Sequence, residues 1–479
     1  MSRLPDPDRP ADGAHPLSST GEWLSEQMLA RAAGSEAIAG NAVRLLKDAA
    51  ENYPAWMEAI AAARHTIHFE NYIIADDATG RMFAAALAAR ARAGVAVRVI
   101  YDWMGALGVG SARVLREVAA AGGEVRCFNP PRPGSPFGWL ARDHRKLLVV
   151  DGETGFVSGL CVSRKWEGDA LKAVTPWRDT GVMVRGPAVA AMDEAFVRLW
   201  SHIGAPTAAV QPPAAVAGDS PVRVLVSEPN AGRLFQIDQL VASMASETLW
   251  LSDAYYVALA PYAQALRAAA RDGVDVRLLV PGNSDVPWLA GLSRAGYRPL
   301  LEAGVRVFEW NGSMMHAKTA VADCRWTRIG STNLNVASWI GNYELDVAIE
   351  DEKFACAMQA MFEADLANAT EVVLDNLPRR HQPRQRLRRG SGVPSRAAAG
   401  ALRFGNTLRA AMRNRRLLGP AESAVMAVTG GGFLLLALCA IFLPWLLILP
   451  VAVAAGWVGL VMLLRAWRAW RSGKSKNNN

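Results

Sequence analysis

The chain has 479 residues, 51% of them hydrophobic, which is too long for one ordinary domain and enough for large buried cores. Its net charge of +8 is unevenly placed: twelve arginines and no acid lie between Arg379 and Arg416, five more cations follow from Arg465, and residues 1–378 carry 35 basic against 43 acidic side chains. An acidic body argues against a polyanion such as nucleic acid as partner, and five scattered cysteines with no C-x-x-C pair indicate neither a disulfide framework nor a zinc knuckle.

Residues 1–38 open on MSRLPDPDRPADG, polar and proline-rich, without the apolar core of a signal peptide, and are expected to be disordered or variable. A first α/β unit is expected over 39–204. Within it, RHTIHFENYIIADDATGRMFAAALAARARAGVAVRVIYDW (64–103) reads as a strand, an alanine-rich amphipathic helix and a second strand entered through Gly-Val. A linker, APTAAVQPPAAVAGDSP, spans 205–221, and a second unit is expected over 222–377. There SETLWLSDAYYVALAPYAQALRAAARDGVDVRLLVPG (246–282) repeats the same pattern, with Gly94 and Gly273 in matching places. An arginine-rich linker follows at 378–420. Residues 421–466 are expected to form a membrane hairpin, because no charged residue occurs from Ala424 to Leu464. A straight helix of that length would be about 60 Å long, twice the hydrocarbon thickness, so Pro444 and Pro450 divide the run into two spans. Basic residues on both flanks, including the tail at 467–479, put both ends and the body on the cytoplasmic side.

The repeat carries a motif. HRKLLVVD (144–151) and HAKTAVAD (316–323) both read H-x-K-x(4)-D, 172 residues apart. On a strand, positions i and i+2 share a face, so His144 projects with Lys146 and His316 with Lys318. Two units packed about a twofold axis can bring both pairs into one cleft. Two imidazoles at one site suit displacement at phosphorus, one attacking and the other moving protons. The lysines supply positive charge where phosphate oxygens gather charge. Asp151 and Asp323 can each hold a histidine or anchor the loop that follows. The scheme needs no metal or other cofactor, and lysine ammonium is not a metal ligand. His15, His65, His68, His202 and His381 have no repeated partner and read as surface or packing residues.

The duplicated motif, with GSTNLN and NYE after its second copy, resembles the phospholipase D superfamily and, within it, the bacterial cardiolipin synthases of the type lacking N-terminal membrane spans. The resemblance runs from about Gly40 to Leu377. It implies two similar α/β/α sandwich halves related by pseudo-twofold symmetry. It makes His144 and His316 nucleophile and general acid/base, with His144 as the attacking residue, Lys146 and Lys318 phosphate ligands, and Asp151 and Asp323 orienting carboxylates. Ser331, Asn333 and Glu344 become supporting pocket residues, and Glu70 and Tyr72 stand beside the first strand, as cleft lining or as packing. The sequence departs from the family pattern twice: Cys161 stands where an asparagine is usual, and Asn335 where an aspartate is usual.

The implied activity is phosphatidyl transfer between phospholipids, two phosphatidylglycerols giving cardiolipin and glycerol through a phosphohistidine, at the bacterial inner membrane. Phosphatidylethanolamine is the alternative second substrate. Twelve arginines beside a span would meet anionic headgroups, each contributing about 1 kcal/mol near the surface. A hydrolytic phospholipase D would use the same residues with water as acceptor. A nuclease fits poorly with the acidic body, and a catalytically dead scaffold fits poorly with two complete motifs.

Overall fold

The computed structural model describes residues 16–131, 140–207, 214–374 and 415–417, with isolated positions between 431 and 459. The first half supplies β1 (Ile38–Lys47), β2 (Thr66–Asn71), β3 (Ala96–Asp102), β4 (Glu124–Phe128), β5 (Lys146–Val150), β6 (Thr154–Ser158) and β7 (Thr180–Arg185). The second supplies β8 (Ser220–Ser227), β9 (Thr248–Ser252), β10 (Asp275–Pro281), β11 (Arg306–Trp310), β12 (Thr319–Ala322), β13 (Trp326–Gly330), β14 (Glu344–Ile349) and β15 (Ala369–Val373), and β16 (Arg415–Leu417) follows. All sixteen join in one sheet, ordered β16-β15-β11-β10-β9-β12-β13-β14-β8-β1-β7-β6-β5-β2-β3-β4. Outward from the centre, β1-β7-β6-β5-β2-β3-β4 mirrors β8-β14-β13-β12-β9-β10-β11. The halves meet where equivalent strands run antiparallel, with Ile38 opposite Val222 and Asn41 opposite Ser220. The pseudo-twofold axis passes through that seam.

Both expected strand–helix–strand units form, with β2 parallel to β3 and β9 parallel to β10. Their helices, Ala78–Arg92 and Ala260–Asp272, stop at glycines that turn through the left-handed region, Gly94 at φ 88° and Gly273 at φ 103°. A residue with a Cβ is strained there, which is why Gly-Val recurs at both strand entries.

Helices Ala188–Ile203 and Glu352–Leu366 cover one face and share a core that spans both halves, with Phe196 and Trp200 of the first helix and Met358 and Phe362 of the second among its members. The opposite face of each half has its own apolar layer, around Trp56 and Phe83 in the first and Tyr262 and Trp339 in the second. β5 is therefore buried at every position, although it reads as a plain run of leucine and valine. A buried ion pair ties the halves as well. Arg178, 4% exposed, meets Asp365 of helix Glu352–Leu366 at 2.8 Å and Asp48 at 3.1 Å. Removing Asp365 would leave Asp48 as the remaining carboxylate partner of that buried guanidinium and would destabilise the fold.

Four expectations change. Residues 1–38 are not disordered throughout: a helix spans Pro16–Ala33 and β1 starts at Ile38. Leu29 and Ala33 enter the second half's core, and Glu26 pairs at 2.7 Å with Arg223, whose own burial makes a carboxylate partner necessary. The linker ends early, since β8 begins at Ser220. The arginine-rich stretch is not linker throughout, because Arg415–Leu417 pairs in parallel with β15. Finally, Cys324 and Cys356 form a disulfide between the β12–β13 turn and helix Glu352–Leu366, where their spacing in sequence carries no signature. Most of the apolar run at 424–464 lies outside the described residues, among which no helix is long and apolar enough to cross a membrane.

Candidate active site

The two motif histidines sit at equivalent strand entries, and each is tied to the opposite half. The backbone N–H of His144 donates to the Tyr343 carbonyl at 3.0 Å, and that of His316 donates to the Arg178 carbonyl at 2.7 Å. Lysine spacing then works as strand geometry demands. Lys146 Nζ donates to the His144 carbonyl at 2.5 Å, and Lys318 Nζ to the His316 carbonyl. Lys318 Nζ also lies 2.9 Å from His316 Nδ1 and 3.2 Å from Nε2.

The carboxylates are crossed between halves. His144 Nδ1 lies 3.1 and 3.0 Å from the two oxygens of Glu344, at the start of β14. His316 Nδ1 lies 2.8 Å from Asp179 Oδ2, immediately before β7. Each acid is itself held. Glu344 accepts from Ser331 Oγ at 2.5 Å and from Asn342 Nδ2 at 3.1 Å. Asp179 accepts from Trp166 Nε1 at 2.8 Å and from the Thr180 N–H at 2.8 Å. Such outer partners fix the carboxylate, and the carboxylate fixes the ring and its tautomer.

Asp151 and Asp323 do not orient the histidines. Asp151 accepts from the backbone N–H groups of Arg64, His65 and Thr66 at 2.8 Å each. Asp323 takes the N–H groups of Ser246, Glu247 and Thr248 at 2.7–2.8 Å. The physical reason is length: five residues of strand after the lysine span about 16 Å, so each aspartate emerges at the far end and anchors the entry to β2 or β9. Asp179 escaped the sequence reading. Its signal was position, since Asp179 and Glu344 each stand where the strand beside the central seam strand begins.

Burial sets the electrostatics. It pushes the His144 imidazole below its ordinary range, with Glu344 pulling it back up and Lys146 pushing it further down. Burial and then Lys318 bring His316 to about 4 against the pull of Asp179. Burial also lowers Lys318 to about 8, opposed by Asp179. Against the cost of burial, His144 holds Glu344, and His316 holds Asp179, below the usual carboxylate range. The resting rings are neutral, and the carboxylates beside them are charged.

Both histidines line one cleft of about 470 Å³, with Tyr72, Tyr255, Cys161 and Asn333 on its walls. Tyr72 stands edge-on to His144 at 5.0 Å, and Tyr255 to His316 at 5.9 Å. Asn333 presents a buried carboxamide oxygen without a partner, and the matching wall of the first half carries the buried Cys161 thiol. Asn335 is engaged elsewhere, donating to the Tyr255 carbonyl at 2.9 Å and accepting from the Ser338 N–H. Glu70 is fully buried 3.9 Å from Arg145 and is absent from the cleft lining. His68, read as a packing residue, pairs with Asp193 at 2.5 Å and stacks on Phe196.

Comparison with known proteins gives this site a family. The model of the cardiolipin synthase phospholipase D-like domain matches residues 56–200 and 240–366, so each copy of the motif falls within one matched segment. Cardiolipin synthase A of Pseudomonas aeruginosa is 34% identical over 354 residues, covering 72% of this chain and 70% of its own length. A cardiolipin synthase of Alkalihalophilus pseudofirmus is 32% identical over 339 residues, 69% of this chain and 67% of that one. Among solved structures, phosphatidylserine synthase of Haemophilus influenzae superposes with a TM-score of 0.57 at 13% identity, covering 73% of this chain and 92% of that one, a likeness of fold. With two similar α/β halves closing on one paired-histidine cleft, the chain belongs to the phospholipase D-like family of cardiolipin synthases and is a phosphatidyltransferase of that type.

Proposed function

We propose that the chain makes cardiolipin from two phosphatidylglycerols through a phosphohistidine. The observation behind this reading is the crossed pairing: two neutral imidazoles face one cleft, each with Nδ1 held by a carboxylate from the opposite half. Nε2 of His144 attacks the phosphorus of the first lipid, and the bond to its glycerol headgroup breaks. The Lys318–His316 pair holds a proton between Lys318 Nζ and His316 Nε2, 3.2 Å apart, and Nε2 delivers it to the departing glycerol oxygen while Nδ1 stays bonded to Asp179. A hydroxyl of the second lipid's headgroup then gives its proton back to His316 as its oxygen displaces His144 from phosphorus. Glu344 balances the charge that grows on the His144 ring, and the lysines meet the phosphate oxygens. Water in place of the second lipid would give phosphatidic acid.

The purified full chain, given headgroup-labelled and acyl-labelled phosphatidylglycerol, is expected to release glycerol and form cardiolipin. Phosphatidic acid as the main product would make it a hydrolase instead. With a phosphatidyl substrate whose leaving group is good enough to depart unprotonated, rapid quenching of His316→Ala is expected to trap some phosphorus label on the protein, and His144→Ala none; absence of label on every variant would remove the covalent step.

The two kinds of carboxylate should separate in mutagenesis. Glu344→Gln is expected to lower kcat by about 100-fold or more while the protein stays folded, as for loss of a group that positions a catalytic base. Asp323→Asn is expected to lower the denaturation midpoint with kcat within a few-fold, because backbone N–H groups of residues 246–248, remote from the cleft, lose a carboxylate acceptor. Equal kinetic effects of the two would contradict the crossed assignment.

The pH profile follows from Lys318, lowered to about 8 in the free protein. Above that pH the pair loses its proton, so both the donor for the leaving alcohol and one positive charge disappear. The logarithm of kcat/KM is expected to fall with unit slope above about pH 8. A flat profile to pH 10 would rule out this role.

We also place the enzyme at the bacterial inner membrane, held by a hairpin over 421–466, on the strength of the 41-residue uncharged run and its arginine-rich flanks. Removing residues 420–479 is expected to turn alkali-resistant membrane attachment into extractable protein. Retained resistance would place the anchor elsewhere.

A further inference from the structure

Large exposed apolar side chains gather around one opening of the body. Leu140 and Trp288 line the cleft itself, yet are 55% and 71% exposed. Leu292, also exposed, lies one turn beyond Trp288 on helix Pro287–Ala295. Leu171, 99% exposed, sits in the loop between Trp166 and Trp177, both cleft residues. Ile340 belongs to the helical turn Ala337–Gly341, whose Ala337 and Ser338 also line the cleft. Leu107, 61% exposed, is in the loop whose Gly105 packs so closely on the Tyr72 carbonyl that no Cβ would fit.

The far end of the same strands is different. There the cleft beside Asp151 carries Arg44, Glu58, Arg64, Glu153 and Arg185 on its wall, and the large apolar residues among them, Val150, Phe156 and Met183, are not exposed. Isolated exposed leucines are ordinary, but a ring of them around one mouth and a polar surface at the other end is not. Cations stand inside the apolar ring, Arg142 and Lys165 on the cleft wall, with Lys165 Nζ 5.1 Å from the Trp177 ring. Apolar groups that enter the acyl boundary, a tryptophan at headgroup depth and cations at phosphate level are the chemistry of an interfacial surface.

We propose that this ring is a docking surface for a phospholipid monolayer, seating the mouth of the cleft against the headgroups so that a lipid reaches the histidines without leaving the bilayer. The inference rests on the reading of the site as one for phospholipids, and it adds a contact made by the catalytic body itself, independent of the hairpin. It gives the body one orientation, with the β5–β6 turn facing away from the membrane.

The test uses the full chain in vesicles of phosphatidylglycerol and phosphatidylcholine, with an environment-sensitive fluorophore placed singly at position 107, 171 or 153. At 107 and 171 the emission is expected to shift to the blue and to be quenched by spin-labelled lipid; at 153, in the far turn, neither is expected. Water-like emission at 107 and 171, or the same response at all three, would overturn the proposal. In a second measurement, L107S/L171S/L292S is expected to turn over vesicle lipid about tenfold more slowly while processing dispersed short-chain phosphatidylglycerol within about twofold of the native rate. Equal loss on both, or loss on neither, would also overturn it. If the native protein converts neither form of the lipid, the transferase reading fails, and the fluorescence still decides the docking surface.

Discussion

Taking two lysine ammonium groups and two imidazoles out of water at one place is the constraint on which the rest of the molecule depends. Lys146 and Lys318 are each 1% exposed, in surroundings that pull Lys318 well below its ordinary range. Uncompensated, that much buried positive charge would be prohibitive. The compensation comes from Glu344 and Asp179, and neither belongs to the half whose histidine it holds. The halves must therefore be fixed against each other to within hydrogen-bond tolerance. A continuous sheet, a core drawn from both sides and the Arg178–Asp365 pair meet that demand. Arg178 does so doubly, since its carbonyl receives the His316 N–H while its guanidinium reaches helix Glu352–Leu366.

Much of this was legible in the residues, because periodicity is local. Alternation along a strand puts His144 beside Lys146 and His316 beside Lys318, and the repeat supplies the twofold relation. What alternation cannot give is distance across the sheet. Asp151 and Asp323 share the motif with the histidines, yet their carboxylates cap the N–H groups that open β2 and β9. Asp179 was hidden for the converse reason, being remote in sequence from His316 and adjacent in space through strand order alone. The helix at Pro16–Ala33 was missed because the proline-rich start masked the few apolar positions that dock it, and the disulfide because a 32-residue separation has no characteristic pattern.

The two walls of the cleft are not equal. Asn333 offers an amide on the second half where the first presents Cys161, a thiol that burial pushes up and so keeps neutral. Tyr255 is also committed, donating to Asp285 at 2.7 Å, an acid on the cleft wall of the second half. Twofold architecture thus carries two sides of different polarity, a basis for treating a departing and an arriving headgroup differently.

The seam between β1 and β8 has a kinetic consequence. Enzymes built of two lobes commonly exchange ligands by opening a hinge between them, but here the lobes are hydrogen-bonded edge to edge within a single sheet. Parting them would break the ladder and dissolve the shared core, so ligands are exchanged through the cleft mouth with the lobes in place. On the proposed route, glycerol leaving by that mouth and the second headgroup entering by it occupy the same ground in turn. Such a protein works as a turnstile. Its direction is set by how quickly the small alcohol escapes into water while the lipid, confined to two dimensions, stays close by.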